Sequence, residues 1–101
     1  MIDSGDLVSK AVVAWTGWGE TSWPVRDEVR LVNRFGSELA GELYTHVRAL
    51  VDDFYATDAK WTVSDLSMMG DAAAKQFRVM HPEISDDAVV ALTWCYTYDN
   101  R

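Results

Sequence analysis

Apolar residues stand at Val25, Val29, Val32, Leu39, Leu43, Val47, Leu50 and Phe54. Their steps of three and four mark one face of an α-helix. Gly36 falls where the stripe would place another side chain, so the phase carries across it. Ala40, Tyr44, Val51 and Tyr55 add a second strip beside the first. A helix with so wide an apolar arc is packed from more than one side. The pattern predicts a long central helix over about 24–56. Gly36-Ser37 is its weak point, because Gly can end one helix and Ser cap the next. A Gly in a helix interior costs about 1 kcal/mol relative to Ala, and Gly41 adds a second such cost. The unbroken phase favours a single helix, kinked at most, over two.

The remaining elements follow from the same periodicity. Leu7, Val8, Ala11, Val12 and Trp15 predict a helix over about 5–16, with Asp3 or Ser4 as cap and Gly17 and Gly19 as stop. Trp15, Trp18 and Trp23 then crowd a glycine-containing link. They read as a plug folded over the core, and alternatively as an exposed aromatic patch for a partner. Pro24 suits a first helical position, and Asp27 and Glu28 suit a first turn. Arg26, Arg30 and Arg34 form a row at spacing four, read as a solvated face with an Arg34–Glu38 pair. The alternative is a basic ridge for an anionic ligand. Asp52 and Asp53 lie in the last turn of the long helix, where carboxylates oppose the helix dipole. After a polar loop from Ala56 to Lys60, Thr62 or Ser64 caps a helix carrying Leu66, Met69, Ala73, Phe77 and Met80. Asp65 lies in its first turn, Gly70 is a potential break, and His81-Pro82 is the stop. Ser85, Asp86 and Asp87 start the final helix. Its run from Ala88 to Tyr98 holds no charge. One face carries Ala88, Val89, Leu92, Cys95 and Tyr96, and another Ala91, Trp94 and Tyr98. A strand over Thr93–Tyr98 is the lesser alternative, with no partner strand in view. The expected fold is an all-α, single-domain bundle of four or five helices spanning 1–101.

Charge narrows the partners. The 101 residues carry a net charge of −7, with a sequence pI near 4.5. Such a surface repels phosphate backbones, which argues against nucleic acid. It serves solubility alone, or meets a basic partner. Between Asp52 and Asp71 stand five acids (Asp52, Asp53, Asp58, Asp65, Asp71) against Lys60 alone. Cys95 is the only cysteine, so no intrachain disulfide forms and a reducing compartment is expected. The segment Met1 to Asp6 has no apolar core of a signal peptide, and no apolar run reaches membrane-spanning length. A cytoplasmic protein away from membranes is expected.

No catalytic motif stands out. Glu42 and His46 are four apart on one helix face, but neither Glu-x-x-His nor His-Glu-x-x-His is present. Cys95 lies in an apolar helix, where thiols are inert. The acid pairs at 52/53 and 86/87 diverge around their helices and make no acid/base couple. No metal, no cofactor and no enzymatic activity are expected. In size, acidity and lack of a catalytic kit, the chain resembles in general profile the bacterial immunity proteins and antitoxins that block basic toxin domains. That resemblance implies a protein-binding module, an inhibitor of a basic protein partner. Asp52, Asp53, Asp58 and Asp65 would steer the partner, and Tyr55, Trp94 and Tyr98 would anchor it. Two alternatives remain. One is a small-ligand or enzymatic pocket lined by Trp18, Trp23, Tyr44 and His46. The other is a structural homodimer closed through the last helix.

Overall fold

The computed structural model describes residues 5–100, the side chain of Lys60 apart. Among these residues are five helices and one four-residue helical turn, with no strand. The order is α1 (Gly5–Thr16), α2 (Val29–Phe35), α3 (Ser37–Tyr55), the turn α4 (Ala59–Thr62), α5 (Leu66–Met80) and α6 (Asp86–Asn100). The expected all-α single-domain bundle is what forms. Asp3 and Ser4, expected to cap the first helix, lie outside the described residues.

Each helix buries one stripe. In α1 it is Val8, Ala11, Val12 and Trp15; in α3 it is Ala40, Leu43, Val47, Leu50 and Phe54. α5 contributes Met69, Ala73 and Phe77. α6 buries a wide arc of Ala88, Val89, Ala91, Leu92, Cys95 and Tyr96, which accounts for its uncharged run, and α1 buries Ser9, Ala14 and Thr16 beside its apolar stripe. α6 packs against α1, α3 and α5. α1 and α6 run in the same direction, tied where the Ser85 amide donates to Ser9 Oγ at 2.9 Å. α5 and α6 run antiparallel, with Gly70 against Thr93 and Thr97 at one end and Arg78 paired to Asp86 at the other.

The long helix expected over 24–56 is divided. Gly36 adopts φ 88° and ψ 155°, ending α2 and starting α3. A residue with a side chain avoids that region, so the glycine makes the corner possible. The corner also destroys the phase. Val25, Val29 and Val32 face solvent, and Leu31 is the buried residue of α2. Helical structure begins at Val29 and not at Pro24, because Arg26 takes a positive φ of 50°. The Val25 amide donates to Thr16 O at 3.0 Å and the Asp27 amide to Trp15 O at 3.1 Å. These two bonds pin the segment beside the end of α1. The Asp27 carboxylate then accepts from the Val29 amide at 3.0 Å. The Arg34–Glu38 pair does not form across the corner; Arg34 and Arg30 both reach Glu20, at 3.8 and 3.0 Å.

The other boundaries shift less. Asp65 is itself the cap of α5, accepting from the Met68 amide at 3.0 Å, in place of Thr62 or Ser64. Gly70 does not break α5. Ser85 caps α6 as expected, its hydroxyl accepting from the Ala88 amide at 3.3 Å. Thr93–Tyr98 is helical, not extended.

Candidate functional site

Where α3, α6 and the pinned segment meet, they enclose a cleft of about 460 Å³. α3 presents Tyr44, Arg48, Val51, Asp52 and Tyr55, at spacings of three and four along one side of the helix. α6 presents Leu92, Cys95 and Asp99 at the same kind of spacing. Trp15 closes one wall, and Arg26 enters from the segment whose backbone turns at positive φ. A non-glycine residue held at positive φ costs of order 1 kcal/mol or more, and persists only where its surroundings over-determine it. Here the two backbone bonds on either side of Arg26 do so.

The polar groups of the cleft form one connected set. Asp99 Oδ2 accepts from Arg26 Nη1 at 2.5 Å and from the Tyr55 hydroxyl at 2.6 Å. That bond to Asp99 raises the Arg26 pKa above the usual guanidinium value. The Tyr55 phenol is held well above its ordinary value, by burial first and by its bond to Asp99 second. Arg48 is looser: its guanidinium lies 3.9 Å from Asp52, too far for a hydrogen bond. The indole N–H of Trp15 is buried without an acceptor among the described residues.

Burial pushes the Cys95 thiol up to about 12 from an ordinary 9.0. Cys95 is therefore a protonated, unreactive thiol at neutral pH. In the unfolded chain Cys95 and Tyr55 lose their protons at lower pH than in the fold. Their contribution to stability is thus fully present below about pH 9 and is lost as pH rises toward 12. We expect urea midpoints to fall over that window. A thiol-specific reagent at pH 8 should modify native Cys95 far more slowly than the unfolded chain. Equal rates would show an accessible thiolate.

The residues expected to bind a partner are dispersed by the fold. Asp53 pairs with His81, Oδ2 to Nε2 at 2.7 Å, and His81 stacks on Phe77 at 4.9 Å between ring centres. Asp52 faces Arg48. The two carboxylates that oppose the α3 dipole thus each have a cationic or polar neighbour within the chain. Tyr55 belongs to the cleft. Trp94 packs on Trp18 with centroids 5.1 Å apart, in a groove beside Asp71 and Arg78. Tyr98 is half-buried. Asp58 accepts from Gln76 Nε2 at 2.7 Å, and Asp65 caps α5. Both remain solvent-facing. Next to them in the chain stand the two large exposed side chains of this region, Trp61 (80 %) and Met68 (62 %). Sequence reading singled out neither.

Of the pocket residues expected, Tyr44 lines the cleft, Trp18 lies in the Trp94 groove, and Trp23 and His46 face solvent. Arg26, Arg48 and Asp99 were not anticipated as neighbours. One signal was available for Asp99: it is an acid in the last turn of a helix, the same conflict with the dipole noted at Asp52 and Asp53.

The five described arginines each lie against a carboxylate of the chain: Arg26–Asp99, Arg30–Glu20, Arg34–Glu20, Arg48–Asp52 and Arg78–Asp86. Exposed Asp6, Glu28, Glu38, Glu42, Asp71 and Asp87 have no ion pair among the described residues. The surplus negative charge therefore faces outward. Those residues hold no cluster of three or more His, Cys, Asp or Glu able to grip a metal, and no helix long and apolar enough to cross a membrane. Comparison of the chain with protein families, with curated proteins and with solved structures gives no match.

Proposed function

We propose that this chain is a protein-binding module of the inhibitor type, which holds a basic partner through an acidic and aromatic surface. The observation that carries this reading is Trp61, exposed at 80 % on the turn α4 between the solvent-facing Asp58 and Asp65. Tryptophan left in water is costly, and at interfaces it is the residue most enriched among those that dominate affinity. Met68 is the second large apolar side chain of the same segment. Each described arginine lies against a carboxylate and the net charge is −7, so the outward field is negative and favours a cationic partner. Asp52 and Asp53, on the last turn of α3, precede this segment in the chain. The partner's own apolar pocket takes the Trp61 ring, and the carboxylates set its approach.

Capture from a lysate of the native host at low salt tests the reading, with a parallel wash at high salt. Wild-type chain is expected to retain a basic protein that high salt releases. Trp61→Ala is expected to lose it, with a cost of about 2 kcal/mol or more for an anchor of this kind. Asp52→Asn with Asp58→Asn should slow association and flatten the salt dependence. Retention indifferent to salt and to all three substitutions would rule the surface out. A monodisperse dimer that retains nothing would move the assignment to self-association.

A further inference from the structure

We infer that the cleft between α3, α6 and the Arg26 segment is a binding site for a small organic carboxylate with a flat apolar body. This site does not include Trp61 and shares only Asp52 with the proposed partner surface. Two guanidinium groups line one cavity, and neither uses its full hydrogen-bonding capacity. A guanidinium has five N–H donors in a planar fork. Arg26 spends one of them on Asp99. Arg48 makes no hydrogen bond among the described residues, its nearest carboxylate being 3.9 Å away. Donors in that geometry match a carboxylate in bidentate fashion.

The other walls select what the carboxylate is attached to. Tyr44, Val51, Leu92 and Trp15 are apolar over most of their surface, and the volume of about 460 Å³ lies in the range that holds a small organic molecule. Trp15 closes the apolar end of this wall, and its indole N–H is buried with no acceptor among the described residues. Asp52 and Asp99 stand in the same walls. They balance the two arginines, so the cleft draws an anion only through its unused guanidinium donors and gains nothing from a second negative charge on the ligand. That charge count favours a carboxylate over a phosphate monoester. The backbone at Arg26 supplies an independent indication. Positive φ in a non-glycine residue, pinned by bonds to Trp15 O and Thr16 O, is the kind of strain that concentrates at binding sites.

Titration of the isotope-labelled full chain, followed by NMR, tests this with four probes: phenylacetate, phenyl phosphate, benzylamine and benzyl alcohol. Phenylacetate is expected to give saturable shifts at the Trp15 indole N–H and the Arg48 side chain. Benzyl alcohol, which keeps the ring and lacks the charge, should bind at least about tenfold more weakly, the scale of one lost charge-assisted bond. Arg48→Ala, at an exposed position of α3, should leave the fold intact and weaken phenylacetate by a similar factor. Arg48→Lys should restore only part of that loss, because an ammonium lacks the planar fork. Equal binding of acid and alcohol, tighter binding of phenyl phosphate or benzylamine, or indifference to Arg48→Ala would each overturn the assignment. No saturable shift with any probe would overturn it as well. The Trp61→Ala variant should bind phenylacetate as wild type does.

Discussion

Replacing Phe54 by alanine is expected to remove about 3–5 kcal/mol of unfolding free energy, the cost of deleting a large ring from a core that cannot collapse around the hole. Phe54 is fully buried. Its ring lies 5.2 Å from Phe77 and 5.4 Å from Tyr96 between centroids, so one side chain joins α3, α5 and α6. Tyr55 packs edge-on to Tyr96 at 5.3 Å, which links this cluster to the wall of the cleft. A domain of this size has only about 5–15 kcal/mol in total, so the variant would be close to unfolding at physiological temperature. Urea unfolding with an unchanged slope would give the difference directly. A loss under about 1.5 kcal/mol would mean the three helices are held mainly by other contacts. Tyr96→Phe supplies the contrast. The Tyr96 hydroxyl is buried with no partner among the described residues. Removing it should leave stability unchanged or raise it by about 1 kcal/mol, since the lost group was not satisfied.

The second large effect is expected at Gly70. A Cβ placed there would stand 2.8 Å from Thr97 Cγ2 and 3.0 Å from Thr93 Cγ2. Those methyls have little room to move. Both threonines are stiff at χ1. Their hydroxyls bond back to carbonyls of α6, Thr93 to Val89 O at 2.8 Å and Thr97 to Thr93 O at 3.0 Å. Rotation away from a new side chain would break those bonds. Alanine in a helix interior is worth about 1 kcal/mol over glycine. Overlap at this contact works against that gain and is expected to exceed it, leaving Gly70→Ala destabilised by roughly 1 kcal/mol. Gly70→Leu should lose about 3 kcal/mol or more by forcing α5 away from α6. Gly41 on α3 is the internal control, since nothing lies within 4 Å of a Cβ built there. Gly41→Ala should gain about 0.5–1 kcal/mol. Thermal denaturation of the three variants checks the ordering, and a stabilised Gly70→Leu would contradict the close packing.

Helix existence was readable wherever one stripe faced one core. The spacing in α1, the Ser85 cap and the buried positions of α3 from Leu43 to Phe54 needed only local information. Periodicity failed at Gly36 for a specific reason. A glycine adds no side chain to the stripe, so a rotation of the backbone there leaves no mark on the pattern of apolar residues. Val29 and Val32 therefore matched a phase that the φ of 88° had already broken. The Arg26 turn was hidden for a different reason, because hydrogen bonds to Trp15 O and Thr16 O are tertiary facts. The row Arg26, Arg30 and Arg34 looked helical, yet its members end in two places, Arg26 in the cleft and the others on Glu20. The cleft itself joins Asp99 to Tyr55 and Arg26, 44 and 73 positions away, which no spacing argument reaches. Exposed Trp61 was overlooked because a tryptophan in a short loop reads by default as a covered residue.

The parallel pairing of α1 with α6 sets the order in which the molecule can assemble as it is made. α1 leaves the ribosome before α6, and although it also packs on α2 and α3, one side of its buried stripe and the Ser9 hydroxyl meet their partners only at the last helix. Until α6 has been translated, Val8, Val12 and Trp15 have no lasting cover on that side. The nascent chain must carry them in a partly open state, which is when hydrophobic segments are most exposed to misassociation. A ribosome stalled before α6 should therefore hold a protease-sensitive α1, whereas release of a chain that includes α6 should protect it.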